Sequence, residues 1–169
     1  MVITKSRNRN FREVSGFIAG NNRTNILIGA AQAFSNEAIV SCENPPQSVE
    51  KWRNCANLWQ EAISRLKQIP LEDPGYLDAQ SLLANYQTNL AQIVTRTQAE
   101  IDSVKAFDLA QSQIAELPTQ VDNVNRDRII RQIKQIIIQL KKVRANTTVA
   151  QQATDWLVFA EKKLKEIEN

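Results

Sequence analysis

Residues 48–70 read SVEKWRNCANLWQEAISRLKQIP, and their spacing decides the fold class. Apolar side chains fall at Val49, Trp52, Ala56, Trp59, Ile63 and Leu66, in alternating steps of three and four. That alternation lays one continuous stripe along an α-helix. Cys55, Ala62 and Ile69 flank the stripe and widen it to a face. Ser48 is the expected N-cap, because its hydroxyl can accept an otherwise orphaned backbone N–H. Pro70 closes the helix, since it offers no N–H and its ring clashes with the preceding turn.

The pattern continues on both sides. Downstream, Asp73 as N-cap and Pro74 at the first position start a second helix, with the stripe Tyr76, Ala79, Leu83, Tyr86, Leu90, Ile93. No proline follows until Pro118, although Thr95 to Glu100 holds no strong apolar position; the stripe resumes at Ile101, Val104, Phe107 and Ile114. The expectation is one helix of some 43 residues, about 65 Å at 1.5 Å per residue, bent near 95–100. Beyond Pro118, Thr119 with Asp122 has the form of a capping box before Ile129, Ile133, Ile136, Leu140 and Val143. Asn146 or Thr147 is the expected cap of a last helix carrying Ala150, Ala153, Leu157, Ala160, Leu164 and Ile167. Upstream, Thr24 to Cys42 is alanine-rich and places Leu27, Ala31, Phe34 and Ala38 on one face. The five prolines all fall between periodic segments, and a single glycine, Gly75, follows residue 29. An all-α protein with short connections has this punctuation.

The chain also matches itself. Shifted by 74, Ile63 falls on Ile137, Leu66 on Leu140, Ala79 on Ala153, Leu83 on Leu157 and Leu90 on Leu164. A shift of 73 pairs Ala33-Phe34 with Ala106-Phe107, Glu43 with Glu116 and Pro45 with Pro118. The expected architecture is a short α-solenoid or elongated helical bundle. It has two three-helix units of about 74 residues, 24–97 and 98–169, sharing one long central helix, with a basic arm at 1–23. One amphipathic hairpin cannot hide its own stripe, so stacked units would bury a common core and present a groove to partners.

Trp59, Ala62, Ile63, Leu66, Ile69 and Pro70 spell W-x-x-A-I-x-x-L-x-x-I-P, followed by P-x-Y-x-x-A at Pro74, Tyr76 and Ala79 and Y-x-x-N-L at Tyr86, Asn89 and Leu90. This resembles a tetratricopeptide-like helical repeat segment of uncharacterised cyanobacterial proteins. The likeness covers 49–93 and is degraded in the second unit, where Ile133 replaces Trp59 and Arg144 replaces Pro70. The resemblance implies an interaction scaffold. It implies no catalytic residue and no ligand.

Chemistry-bearing patterns are few. The chain of 169 residues has no histidine, which excludes His-dependent triads and His metal sites. There is no G-x-x-x-x-G-K-[ST], G-x-G-x-x-G or G-x-S-x-G. Glu72-Asp73 sits at a helix start, where acids complement the macrodipole. No catalytic residue, metal or cofactor is therefore expected. Cys42 and Cys55 lie on separate predicted helices. Buried thiols in a reducing cytoplasm are the expectation, and a disulfide implying an oxidising compartment is the alternative. No run reaches 18 apolar residues, so no integral membrane segment is expected, and Ile26 to Ala33 is too short and too crowded by asparagine for a signal peptide.

Charge is unevenly placed. The net is +3, yet residues 1–23 carry +4 and residues 126–144 carry +6. The arm, expected to be disordered by itself, holds Arg7, Arg9 and Arg12 with Phe11 and Phe17. On the 126–144 helix, Arg131, Lys134, Lys141 and Lys142 avoid the isoleucine stripe and face water or a partner. These nine residues are the candidate partner-binding positions. The leading function is a non-enzymatic scaffold or adaptor binding another protein through a helical groove. The alternative is a basic accessory protein that binds nucleic acid or an anionic surface through the arm and the 126–144 helix. Self-association through the 3-4 stripes as a coiled coil is a third route.

Leu66→Asp and Leu140→Asp each place an unpaired charge at the centre of a stripe, a cost of several kcal/mol. Each is expected to abolish cooperative thermal unfolding and reduce the far-ultraviolet helical signal. Wild-type melting in both would refute the stripe assignment.

Overall fold

The computed structural model describes residues 4–119 and 124–169, with side chains from Asn22 onward. The described backbone is helical without a strand: α1 (Thr4–Ser41), α2 (Val49–Leu66), α3 (Tyr76–Ala115), α4 (Arg126–Leu140) and α5 (Ala150–Glu168). No helix is long and apolar enough to cross a membrane among the described residues. α1 begins at Thr4, so the expectation of an arm without regular structure does not hold for the backbone from there on. Arg7, Arg9, Phe11, Arg12 and Phe17 lie outside the described side chains.

The chain divides into two compact units, Met1–Glu43 with Arg53–Val94, and Asn44–Trp52 with Thr95–Asn169. In the first, α2 turns Cys55, Trp59, Ala62, Ile63 and Leu66 inward, the face that its spacing predicts. At the start of this helix, Ser48 Oγ accepts the Lys51 N–H at 3.3 Å, as an N-cap does. α1 meets this face with small residues: Thr24, Ala31, Ser35 and Ala38 are buried, whereas Leu27 and Phe34 are only half-buried. Small side chains let helix axes approach closely, which is why the buried line of α1 is not its most apolar one. The Ser35 hydroxyl donates to the Tyr86 hydroxyl at 2.9 Å, and the Tyr86 ring lies 5.2 Å from that of Trp59.

Cys42 and Cys55 form a disulfide, with their Cα atoms 6.0 Å apart. This corrects the expectation of two free thiols. The cysteines lie 13 residues apart, a separation that names no partner, and only the turn between α1 and α2 brings them together. In the chain-entropy account, closing a loop of that size stabilises the fold by about 3 kcal/mol.

The second unit comprises the later part of α3 with α4 and α5. Phe107 and Ala110 pack with Ile136, Leu140 and Ala153, and Ile129, Ile133 and Ile137 pack with Ala160. Burial recurs at a spacing of 74: Cys55 and Ile129, Trp59 and Ile133, Leu66 and Leu140, Ala79 and Ala153, and Tyr86 and Ala160 are all buried. For the preceding helices the spacing is 72, since Ala31, Ser35 and Ala38 correspond to Ser103, Phe107 and Ala110. The Ala33-Phe34 match at 73 is not a match in burial, because Ala33 is exposed and Ala106 is buried.

α3 runs unbroken through 95–100, where no strong apolar residue stands. Its inward positions there are polar. Glu100 is 1% exposed and accepts the backbone N–H of Thr148 at 3.1 Å and the Thr148 hydroxyl. Ser103 Oγ accepts the Arg144 N–H at 3.0 Å. These groups satisfy the turn that enters α5, so its expected cap is corrected. Asn146 occupies the left-handed region at φ 62° as a turn residue, Thr147 donates its hydroxyl to the Arg144 carbonyl, and Val149 holds the N-cap position. α4 likewise starts at Arg126 behind Asn125 rather than at Thr119, and Asp122 of the expected capping box lies outside the described residues. α3 starts at Tyr76, although Asp73 does accept the Gly75 N–H at 2.9 Å.

A Cβ on Gly75 would lie 2.6 Å from Thr24 Cγ2. Thr24 cannot swing aside freely, being β-branched and hydrogen-bonded to Asp73 at 2.5 Å. Gly75→Ala should therefore cost about 1–3 kcal/mol in chemical denaturation. Adding Thr24→Ser removes the clashing methyl, keeps the hydroxyl and should recover most of that loss. Additive effects of the two changes would refute the clash.

Candidate functional site

The basic residues of α4 meet different surroundings. Lys134 pairs with Glu168 at 2.8 Å and Lys141 with Glu161 at 2.9 Å, both acids on α5. Lys142 donates to Gln139 Oε1 at 3.0 Å. Arg131 lines a cleft of about 370 Å³ with Gln113 of α3, Glu116 just after that helix, and Arg128, Gln132 and Gln135 of α4. Among the described residues, no carboxylate pairs with Arg128 or Arg131 within 4.0 Å, and the amide oxygens of Gln113 and Gln132 are buried without a hydrogen-bond partner. The four candidates are thus exposed, Lys141 and Lys142 just beyond the end of α4; Arg131, Lys134 and Lys141 each border a cleft, but Lys134 and Lys141 are paired with acids of α5.

Arg126 was not singled out by its sequence position. Its guanidinium reaches the Ile167 carbonyl at the end of α5, with Nε at 2.9 Å. A cation here satisfies an orphaned carbonyl and complements the negative end of the helix. The contact joins residues 41 positions apart, so no local motif announces it.

A second concavity is apolar. Ile114 of α3, Leu117 just after it, Ile129, Ile133 and Ile136 of α4, and Trp156, Phe159 and Ala160 of α5 border a groove of about 300 Å³. Its wall follows from the amphipathic spacing of the two last helices, whose stripes face each other. Trp156 packs on Phe107 with ring centres 4.8 Å apart, which fixes one side. Phe159 is 62% exposed at the rim, with Val158 beside it at 63%. Among the described residues Lys163 is the one charged residue bordering the groove, 5.9 Å from the Phe159 ring centre. Lys163 also donates to Glu166 at 2.7 Å, and this hydrogen bond, with the charge behind it, holds the Glu166 carboxyl below its ordinary value.

No group of three or more histidine, cysteine or acidic side chains able to hold a metal is present among the described residues. Compared with known protein families, curated proteins and solved structures, the chain matches none.

Arg126→Ala should lower stability by about 1.5–3 kcal/mol, as expected for a hydrogen bond from a charged donor to a buried-side carbonyl. Lys134→Ala and Lys141→Ala break exposed pairs and should each cost less than about 1 kcal/mol. Urea unfolding of the three variants checks the ranking; equal losses would overturn the capping role of Arg126.

Proposed function

We propose that this chain is a non-enzymatic helical scaffold or adaptor, a pair of tetratricopeptide-like three-helix units of about 74 residues sharing α3, that binds another protein through a helical groove. The observation that supports this reading is the apolar groove of α3, α4 and α5, bordered by an exposed phenylalanine. Solvent-facing aromatic side chains beside a packed concavity are the anatomy of a protein-binding anchor site. The recurrence of buried positions at a spacing of 74 supports the repeat. The reading through nucleic acid or an anionic surface draws less support, because Lys134 and Lys141 are already paired with Glu168 and Glu161. The Cys42–Cys55 disulfide supports residence in an oxidising compartment rather than the cytoplasm.

The test is an affinity capture with wild-type protein and Phe159→Asp as baits, washed at high salt with nuclease. Phe159 is exposed, so the variant should melt within about 0.5 kcal/mol of wild type. A discrete protein held by wild type and lost by Phe159→Asp is the expected result. Equal capture by both baits, or loss of all captured material on nuclease treatment, would overturn the reading.

A further inference from the structure

The two units bury the same positions but not the same bulk. In the first, the rings of Trp59 of α2 and Tyr86 of α3 meet at a tilt, centres 5.2 Å apart, and both are buried. The positions 74 residues later are Ile133 of α4 and Ala160 of α5. Both are buried, and both border the apolar groove. An indole and a phenol have thus been exchanged for a branched alkyl group and a methyl. The second unit has its own aromatic pair, Phe107 with Trp156, but Trp156 stands one turn before Ala160 and forms a wall of the groove instead of filling it. A concavity of about 300 Å³ remains among the described residues. This lies at the small end of the range for ligand sites, where an apolar lining with few polar groups is the rule.

Charge specifies the rest. Among the described residues Lys163 is the sole charged side chain lining the groove, and it is paired with Glu166 at 2.7 Å. Arg128 and Arg131 stand on the same α4 that supplies Ile129 and Ile133. Both lack a carboxylate partner among the described residues. Their cleft also holds Glu116 and shares none of its described lining residues with the apolar groove, so the guanidinium groups lie on α4 outside the groove's wall.

We infer that the groove is a socket for one aromatic side chain, tryptophan or tyrosine, presented by an acidic segment of the partner. The inference rests on the adaptor reading and names the chemistry of what that reading binds. The internal comparison supplies the shape, since the first unit shows which side chains fill the corresponding space. Arg128 and Arg131, on the helix that carries Ile129 and Ile133, supply the flanking charge. Aromatic anchors in such sockets dominate binding energy, while charges around them govern association rate and salt dependence.

The probe is a fluorophore-labelled, capped hexapeptide with one tryptophan among glutamates, followed by anisotropy. Its controls replace tryptophan by alanine, or the glutamates by lysine. Saturable binding that weakens at least tenfold with either control is the expected result. Ala160→Tyr restores the first unit's residue and should plug the socket, with affinity falling at least tenfold. Should Ala160→Tyr misfold, Phe159→Ala removes an exposed wall and should weaken binding at least threefold. Absence of binding, equal affinity for the tryptophan and alanine peptides, or unchanged affinity in a folded Ala160→Tyr would overturn the inference. Free 5-fluoroindole, monitored by fluorine NMR, separates the two claims. Indole binding that Ala160→Tyr removes supports the socket, even where the affinity capture gives no protein and the adaptor reading fails. Its absence overturns the socket and leaves the adaptor reading to its own test.

Discussion

An amphipathic helical hairpin has two apolar stripes and only one contact between them to hide both, so a third helix has to lie across the pair. The structure meets this constraint twice. α1 closes over α2 and the first part of α3, and the later part of α3 closes over α4 and α5. The covering helix buries mostly small residues, Ala31, Ser35 and Ala38 in one case and Ser103, Ala106 and Ala110 in the other, with Phe107 the one bulky exception among them. Bulk then comes from the hairpin, through Trp59, Leu66 and Ile136. The disulfide, the Gly75 contact and the buried Glu100 all sit where covering helix and hairpin meet.

The same division explains where function can reside. The covering helix and the hairpin share the task of filling one layer, and a shortfall of bulk leaves a concavity without threatening the stripes that hold the unit together. Leu140 keeps the second unit's centre closed while Ile133, Ile136 and Ala160 border the concavity.

The hairpin helices were legible because their periodicity is set by burial on one face, and that face runs without interruption from Val49 to Leu66 and from Ile129 to Leu140. α1 and the middle of α3 were not, since a helix pressed close to its neighbours buries small or polar residues that carry no hydrophobic signal. Ile101 and Val104 looked central, yet Glu100 and Ser103 lie inward of them because they bond the turn before α5. The caps failed to show for a related reason: Glu100 and Arg126 act across more than 40 residues, and local cap motifs describe only neighbours in sequence. The exposed lysines of α4 were readable as exposed, but their α5 partners were not. The groove was invisible in the stripe, which counts apolar positions and ignores that an alanine and a tyrosine fill them differently.

α5 is completed at both ends by other helices, Glu100 of α3 bonding the turn at its start and Arg126 of α4 holding the Ile167 carbonyl at its end. Its own sequence supplies no side-chain cap hydrogen bond at the N-terminus. Such a helix cannot acquire its ends until the elements that finish them are in place, which makes it a late arrival in folding. Interactions formed after the rate-limiting step leave the folding rate nearly untouched and govern how fast the native state opens. The lifetime of the folded second unit, and with it the persistence of any complex built on α5, is thus set by two side chains that α5 does not own.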